Sequence, residues 1–165
     1  MTISKDDFRR IMGHFATGVT IVSVKDERGK PFGLTVNSFT SVSLEPLLVL
    51  VCIDHSAQSY SLFRKGAYFG VSILTPEQVA LSNRFASRQI VDRFENVPYV
   101  EGKTGVALLP NSLARLECRI VEAYPGGDHT IFIGAVEDGR CDGGSPLLFF
   151  GGRYGELMPE PESPR

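Results

Sequence analysis

The sequence predicts a mainly β chain, an antiparallel barrel carrying a few short helices. Apolar, β-branched stretches recur along its length: GVTIVSV at 18–24, FGLTVNSFTSVSL at 32–44, LLVLVCI at 47–53, AYFGVSIL at 67–74, LARLECRIVEAY at 113–124 and HTIFIGAVEDG at 129–139. Gly, Pro, Asn and Asp punctuate the gaps between them, as turns require. Helical periodicity is confined to short segments, and about six or seven strands against two or three short helices do not supply the crossover helices of a parallel sheet.

The elements follow in order. Ser4 with Asp7 three residues on forms a capping pattern, and Phe8, Ile11, Met12 and Phe15 share one face, so a first helix is expected to pack on the barrel. His14 closes that helix and reads as a helix-terminal or surface histidine. After the strands at 18–24, 32–44 and 47–53, Ser56 can cap a helix whose apolar positions include Tyr60 and Phe63. Thr75-Pro76-Glu77-Gln78 supplies a cap, a first-turn proline and a capping glutamine, so a further helix begins at Thr75.

Residues 87–112 are polar and broken by Gly and Pro, which reads as an irregular excursion and a candidate lid. In 113–124, Leu116, Cys118 and Ile120 alternate with Arg115, Glu117 and Arg119, a dry face against a wet one, so Cys118 belongs to the core. Asp138-Gly139 is a turn signal, and PLLFFGGRYG at 146–155 ends the ordered chain. One domain over 1–155 is expected; ELMPEPESPR at 156–165, with three prolines and three glutamates, is expected to be a disordered tail.

Composition restricts the function classes. The 165 residues are 42% hydrophobic, enough for a core without staples, and a formal charge of −2 offers no pull toward nucleic acid or anionic membranes. Cys52, Cys118 and Cys141 are odd in number and far apart, so neither a disulfide framework nor a CxxC pair is expected. With a charged start, MTISKDDFRR, and no apolar run of membrane-span length, the expectation is a cytoplasmic protein. No GxGxxG follows a strand, and no GxSxG, HExxH or P-loop pattern occurs.

Several segments can carry chemistry. Thr35, Asn37, Ser38, Thr40, Ser41 and Ser43 place small polar groups in strand-like sequence; this is a Ser/Thr-rich edge strand, or a polar wall for a flat heterocycle if the chain bends after Asn37. Asp54-His55-Ser56-Ala57-Gln58-Ser59 is either ordinary helix capping or an anion site. Asn83 to Arg88 joins Phe85 with two guanidinium groups at a helix end, suiting either a phosphate tail or the helix dipole. His129, in Gly126-Gly127-Asp128-His129-Thr130, should stand on a barrel rim; no second His or carboxylate at ligand spacing makes a metal site, and none is expected. Arg153 and Tyr154 pair a cation with an aromatic on a second rim.

Taken together and in order, FATGVTIV at 15–22, GLTVNSFTSVSL at 33–44, LVLVCID at 48–54, GDHTIFIG at 127–134 and PLLFFGGRYG at 146–155 resemble the flavin reductase-like family, which includes reductase components of two-component aromatic monooxygenases. The likeness runs from about Phe8 to Gly155. It implies a split antiparallel β-barrel, a homodimer, and NADH- or NADPH-dependent reduction of FMN or FAD that reaches a partner oxygenase by diffusion. By position it puts Thr35, Val36, Asn37, Ser38 and Ser41 along the isoalloxazine, Asp54, Ser56 and Ser59 near the ribityl and phosphate, and Phe85, Ala86 and Arg88 near the tail. His129, Arg153 and Tyr154 then face the nicotinamide cofactor, with His129 as the catalytic candidate that orients its carboxamide or phosphate. Hydride transfer needs no protein nucleophile, so positioning is the expected catalytic device. Two departures stand out: Glu45-Pro46-Leu47 where the family often has two prolines, and Phe150 where Tyr is frequent. Residues 88–112 match least, which leaves FMN against FAD open. The rival readings are a split-barrel oxidase with tightly bound flavin and a non-catalytic flavin-binding or electron-relay protein.

Overall fold

The computed structural model describes residues 3–158. The strands are β1 (Thr17–Gly18), β2 (Thr20–Lys25), β3 (Pro31–Val36), β4 (Phe39–Leu44), β5 (Leu47–Asp54), β6 (Tyr68–Ile73), β7 (Val100–Glu101), β8 (Ala107–Leu108), β9 (Ala114–Gly126), β10 (His129–Cys141), β11 (Leu148–Phe150) and β12 (Arg153–Gly155). The helices are α1 (Lys5–Met12) and α2 (Val79–Ala86).

Seven strands form one antiparallel sheet in the order β3-β2-β6-β9-β10-β5-β4. Its edge strands β3 and β4 are joined by Asn37 and Ser38 alone. Three Cα steps from Val36 to Phe39 span at most about 11 Å, so the sheet must curl until its edges meet. Ser38 fastens the seam: Cys52 N–H donates to its carbonyl at 3.2 Å, and its hydroxyl donates to the Cys52 carbonyl at 3.0 Å. On the other side of this crossover β3 has no ladder partner in β5, and the barrel is split there.

Alternation along the strands fills the interior with Val22, Val24, Val49, Val51, Ile53, Phe69, Val71, Cys118, Ile120 and Phe132. Burial pushes the Cys118 thiol up to about 12 and keeps it from acting as a nucleophile. A second apolar cluster, built on Val19, Ile21, Leu74, Phe85, Phe94 and Leu109, lies under α2. Thr75 and Gln78 form the expected capping box, with Thr75 N–H donating to Gln78 Oε1 at 3.1 Å. A three-stranded sheet β1-β11-β12 completes the body; Gly151 and Gly152, at φ 58° and 77°, make its tight turn possible.

Five expectations are corrected. The apolar face of α1 is not buried on the barrel: Phe8, Ile11 and Met12, with Phe15 just beyond the helix, are 50–70% exposed, because the strands already fill the core and the face only borders a cavity. The helix expected after Ser56 is only a single 3₁₀ turn, Tyr60–Leu62, since Asp54 captures the Ser56 N–H and holds the segment as a turn. The excursion 87–112 is not irregular or open throughout: Phe94 and 106–109 are buried and β7 pairs with β8, so only the stretch around 88–93, which borders a cavity, keeps the character of a lid. Asp138-Gly139 is not a turn but continues β10 opposite Glu117 and Leu116, where an added Gly139 Cβ would sit 2.7 Å from Leu116.

Glu117, expected on a wet face, is 3% exposed because the 102–105 turn covers it. Its carboxylate accepts from Lys103 N at 2.8 Å and from Thr104 N and Oγ1 at 2.6 Å, which offsets the desolvation of a buried charge. The expected tail lies mostly outside the described residues; 156–158 carry no regular structure.

Candidate functional site

Cavities open on both sides of the crossover. Asn37, Ser38, Phe39 and Thr40 line one of about 620 Å³, whose other walls include Phe15, Leu50 and Ile73. Leu34 and Thr35 line another of about 420 Å³, together with Asp54, Ser56, Phe85, Ala86 and Arg88. Both volumes are in the range of small-molecule sites. The chain does bend after Asn37, and Asn37, Ser38 and Ser41 are exposed.

Other candidates are placed differently. Val36 is 6% exposed with its side chain in the barrel core, and its carbonyl accepts the Thr20 hydroxyl at 2.7 Å. Phe85 is fully buried and forms floor rather than wall. The Thr35 hydroxyl donates to the Ser82 carbonyl at 2.6 Å and ties β3 to α2. Ser59 is 2% exposed, and its hydroxyl has no partner among the described residues. It borders a void of about 10 Å³ between Phe32, Asp92 and Arg93, room for one water and not for a phosphate.

Asp54 ends β5. Its carboxylate takes the Ser56 N–H at 2.7 Å and stands 3.6 Å from Arg88 Nη2. Hydrogen bonding from Ser56, then His129 and Arg88, holds this carboxyl below the ordinary value. An ionised Asp54 repels a phosphate, so it shapes the loop, while the Ser56 hydroxyl and the exposed Arg88 can meet an anion.

Across the ladder from Asp54 stands His129, the first residue after the two-residue turn Gly127-Asp128. It is the expected rim position. The imidazole side chain is 39% exposed, and Nδ1 is 2.7 Å from Asp128 Oδ1, which orients the ring and leaves Nε2 without a side-chain or main-chain partner among the described residues. The Tyr154 hydroxyl donates to Asn83 Oδ1 at 3.1 Å and takes the Ser82 hydroxyl proton at 2.8 Å, so Tyr154 joins the Thr35 and α2 side of the seam, with Arg153 exposed beside it.

Two residues weigh more in the structure than in the sequence, where Arg93-Phe94 is a weaker candidate than 83–88 for a phosphate and His55 is one member of the 54–59 loop. Arg93 lines the 420 Å³ cavity as a half-buried cation, with Nη1 donating to the Gly33 carbonyl at 2.9 Å and Nε to the Ser87 carbonyl at 3.0 Å; burial lowers its pKa. The sequence places it in an irregular stretch with no period to aim it. His55 reaches Thr130, 75 positions away, by a contact only the barrel creates. Among the described residues no cluster of metal-ligating side chains occurs, and no helix is long and apolar enough to cross a membrane.

Comparison with known proteins places this geometry. Residues 12–158 match the flavin reductase like domain. The chain is 40% identical over 150 residues to an FMN reductase (NADH) of Agrobacterium fabrum, covering 91% of this chain and 84% of that protein. It is 36% identical over 157 residues to the reductase component of a 4-nitrophenol 4-monooxygenase/4-nitrocatechol 2-monooxygenase of Rhodococcus opacus, covering 95% and 83%. A solved NADH:FAD oxidoreductase of Streptomyces globisporus, in complex with NAD and FAD fragments, superposes with a TM-score of 0.87 at 39% identity over 97% of this chain and 98% of that one. With its fold, its split seam and nearly its whole length matched, the chain belongs to the flavin reductase-like family of split β-barrels.

Proposed function

We propose that this chain is an NAD(P)H-dependent flavin reductase that supplies reduced FMN or FAD to a partner flavin-dependent monooxygenase. The observation that carries the reading is the seam. Leu34 and Thr35 line the more polar cavity and Asn37 to Thr40 the apolar one, with Asp54, Ser56 and Arg88 on the polar side and His129 beside Asp54. A flavin makes matching demands: apolar contact for its dimethylbenzene edge, donors and acceptors for its pyrimidine edge, and a polar end for its phosphate.

The residues present fit the group. Thr35, the Val36 main chain, Asn37, Ser38 and Ser41 would hold the ring system. The Ser56 hydroxyl and Arg88 would meet the phosphate, with Arg93 as a fixed cation behind them and Asp54 shaping the loop. Ala86 borders the tail, and Phe85 supports it from below. His129, Arg153 and Tyr154 serve the nicotinamide cofactor. When bound, the flavin would supply the hydride acceptor, N5, for the hydride that the nicotinamide donates.

The chain's own work is positional. Main-chain N–H groups near 35–41 would favour negative charge on the pyrimidine edge, and His129, through Nε2, would orient a carboxamide or phosphate. A homodimer belongs to this reading: the exposed Phe8, Ile11 and Met12 of α1, with Phe15 just after it, form an apolar face at the mouth of the 620 Å³ cavity whose burial would stabilise an interface. A reducing, cytoplasmic setting goes with the unpaired Cys52, Cys118 and Cys141.

The test is spectrophotometric oxidation of NADH or NADPH with added FMN or FAD. Flavin-dependent turnover is expected. Flavin binding without turnover would instead establish a relay protein, and flavin reduced only with an organic substrate an oxidase.

A further inference from the structure

Loop 54–59 and turn 127–130 are far apart in the chain, and one side chain joins them. Asp54 and His129 are already cross-strand partners at the ends of β5 and β10. The next residue, His55, bridges the same gap twice. Its main-chain N–H donates to the Asp128 carbonyl at 3.0 Å, and its Nε2 lies 3.0 Å from Thr130 Oγ1. Tyr60, in the 3₁₀ turn that follows the loop, completes the arrangement: its ring centroid is 4.9 Å from that of His55, and its hydroxyl is 2.8 Å from the same Thr130 Oγ1.

The hydroxyl of Thr130, at 9% exposure, is the node. It has one proton and two lone pairs, so it can accept from Tyr60 while donating to the Nε2 of a neutral His55. This gives a connected chain from the 3₁₀ turn, through β10, back to the loop. The contact holds an exposed histidine in one orientation.

We propose that His55 is a positioning residue, which braces the loop carrying Asp54 and Ser56 against the turn carrying His129 and so aligns the flavin side of the site with the nicotinamide side. The inference rests on the reductase reading above. It predicts an effect on both substrates from a residue whose side chain is engaged with Thr130 and Tyr60. A loop merely folded by His55 would alter thermal stability without moving both binding terms together.

The experiment is steady-state NADH oxidation with FMN on the full chain. In His55→Ala the apparent KM for flavin and the apparent KM for NADH are both expected to rise about 3- to 10-fold, the range for losing one side-chain hydrogen bond, with kcat within about 2-fold. His55→Gln, whose amide can reach Thr130, is expected to restore both KM values. Thr130→Val is expected to copy His55→Ala and to add nothing in that background, because the two residues share one contact. Should His55→Ala fail to fold, Thr130→Ser against Thr130→Val makes the same comparison. The proposal is overturned if both KM values stay at the native level, or if only one of them moves, whatever the melting temperature does. Native protein lacking flavin-dependent NADH oxidation would instead overturn the reductase reading, and this inference with it.

Discussion

Replacing Gly33 with alanine should damage the floor of the 420 Å³ cavity. A Cβ built there lies 2.6 and 2.8 Å from two ring carbons of Phe85 and 3.0 Å from Phe94. Carbon atoms rest at about 3.5–4.0 Å, so the Phe85 ring must retreat by close to 1 Å. It has nowhere to go: Phe85 is fully buried, and the Phe94 ring stands edge-on behind it at 4.8 Å between centroids. Overpacking of this kind costs about 1–3 kcal/mol. With two contacts under 3 Å the cost lies in the upper part of that range, about 2–3 kcal/mol; the alanine stiffens the unfolded chain and returns about 1 kcal/mol, leaving a net loss of about 1–2 kcal/mol. For a chain of this size that lowers Tm by about 2–8 °C.

The damage should also reach the site. The Gly33 carbonyl anchors Arg93, and both Phe85 and Arg93 line the cavity, so the KM for flavin should rise in the same variant. Thermal unfolding followed by circular dichroism measures the stability term, and Phe85→Leu completes a double-mutant cycle. The double variant should be more stable than the sum of the single effects by at least about 1 kcal/mol, because the smaller side chain relieves the clash. A Tm within about 1 °C of native for Gly33→Ala, or a strictly additive cycle, would refute the packing argument.

Two further outcomes are expected. His129→Ala should raise the KM for NADH by about 3- to 10-fold, the cost of one lost polar contact, and leave the KM for flavin less affected; unchanged nicotinamide affinity and an unchanged reduction rate would remove His129 from the site. Asp54, Asp92 and Asp142 have carboxyls held below the ordinary value, by Ser56, Lys30 and Arg140 respectively in first place. Their contribution to stability is therefore present above about pH 4 and is lost as pH falls through the depressed values. Tm should show no carboxylate-driven loss between pH 7 and about pH 5, then fall below about pH 4; an acid transition above that window would contradict these assignments.

Local order determined much of this protein in advance. Alternation over 113–124 identified Cys118 and Ile120 as core, Thr75 to Gln78 announced the capping box of the second helix, and the polar run at 35–41 marked where the strand breaks. These features depend on residues within a few positions of one another, so periodicity and cap chemistry expose them. Five ordered motifs carried the resemblance, and with it the family.

What the tertiary structure alone decided depends on partners distant in sequence. Glu117 alternates like an exposed residue, yet the 102–105 turn lies over it and buries it. Ser59 follows a helix-like cap, yet Asp54 captures the Ser56 N–H, only a single 3₁₀ turn follows, and Ser59 borders a void of one water's size. The apolar stripe of α1 was legible, but not that the barrel has no room for it. Nor could any local pattern show that Asn37 and Ser38 would draw the two edges of a seven-stranded sheet together, which is the closure that brings Thr35, Asp54, Arg88 and Arg93 to one cavity. A strand's alternation states which face is dry; only pairing across the whole sheet states what that face, and its opposite, will meet.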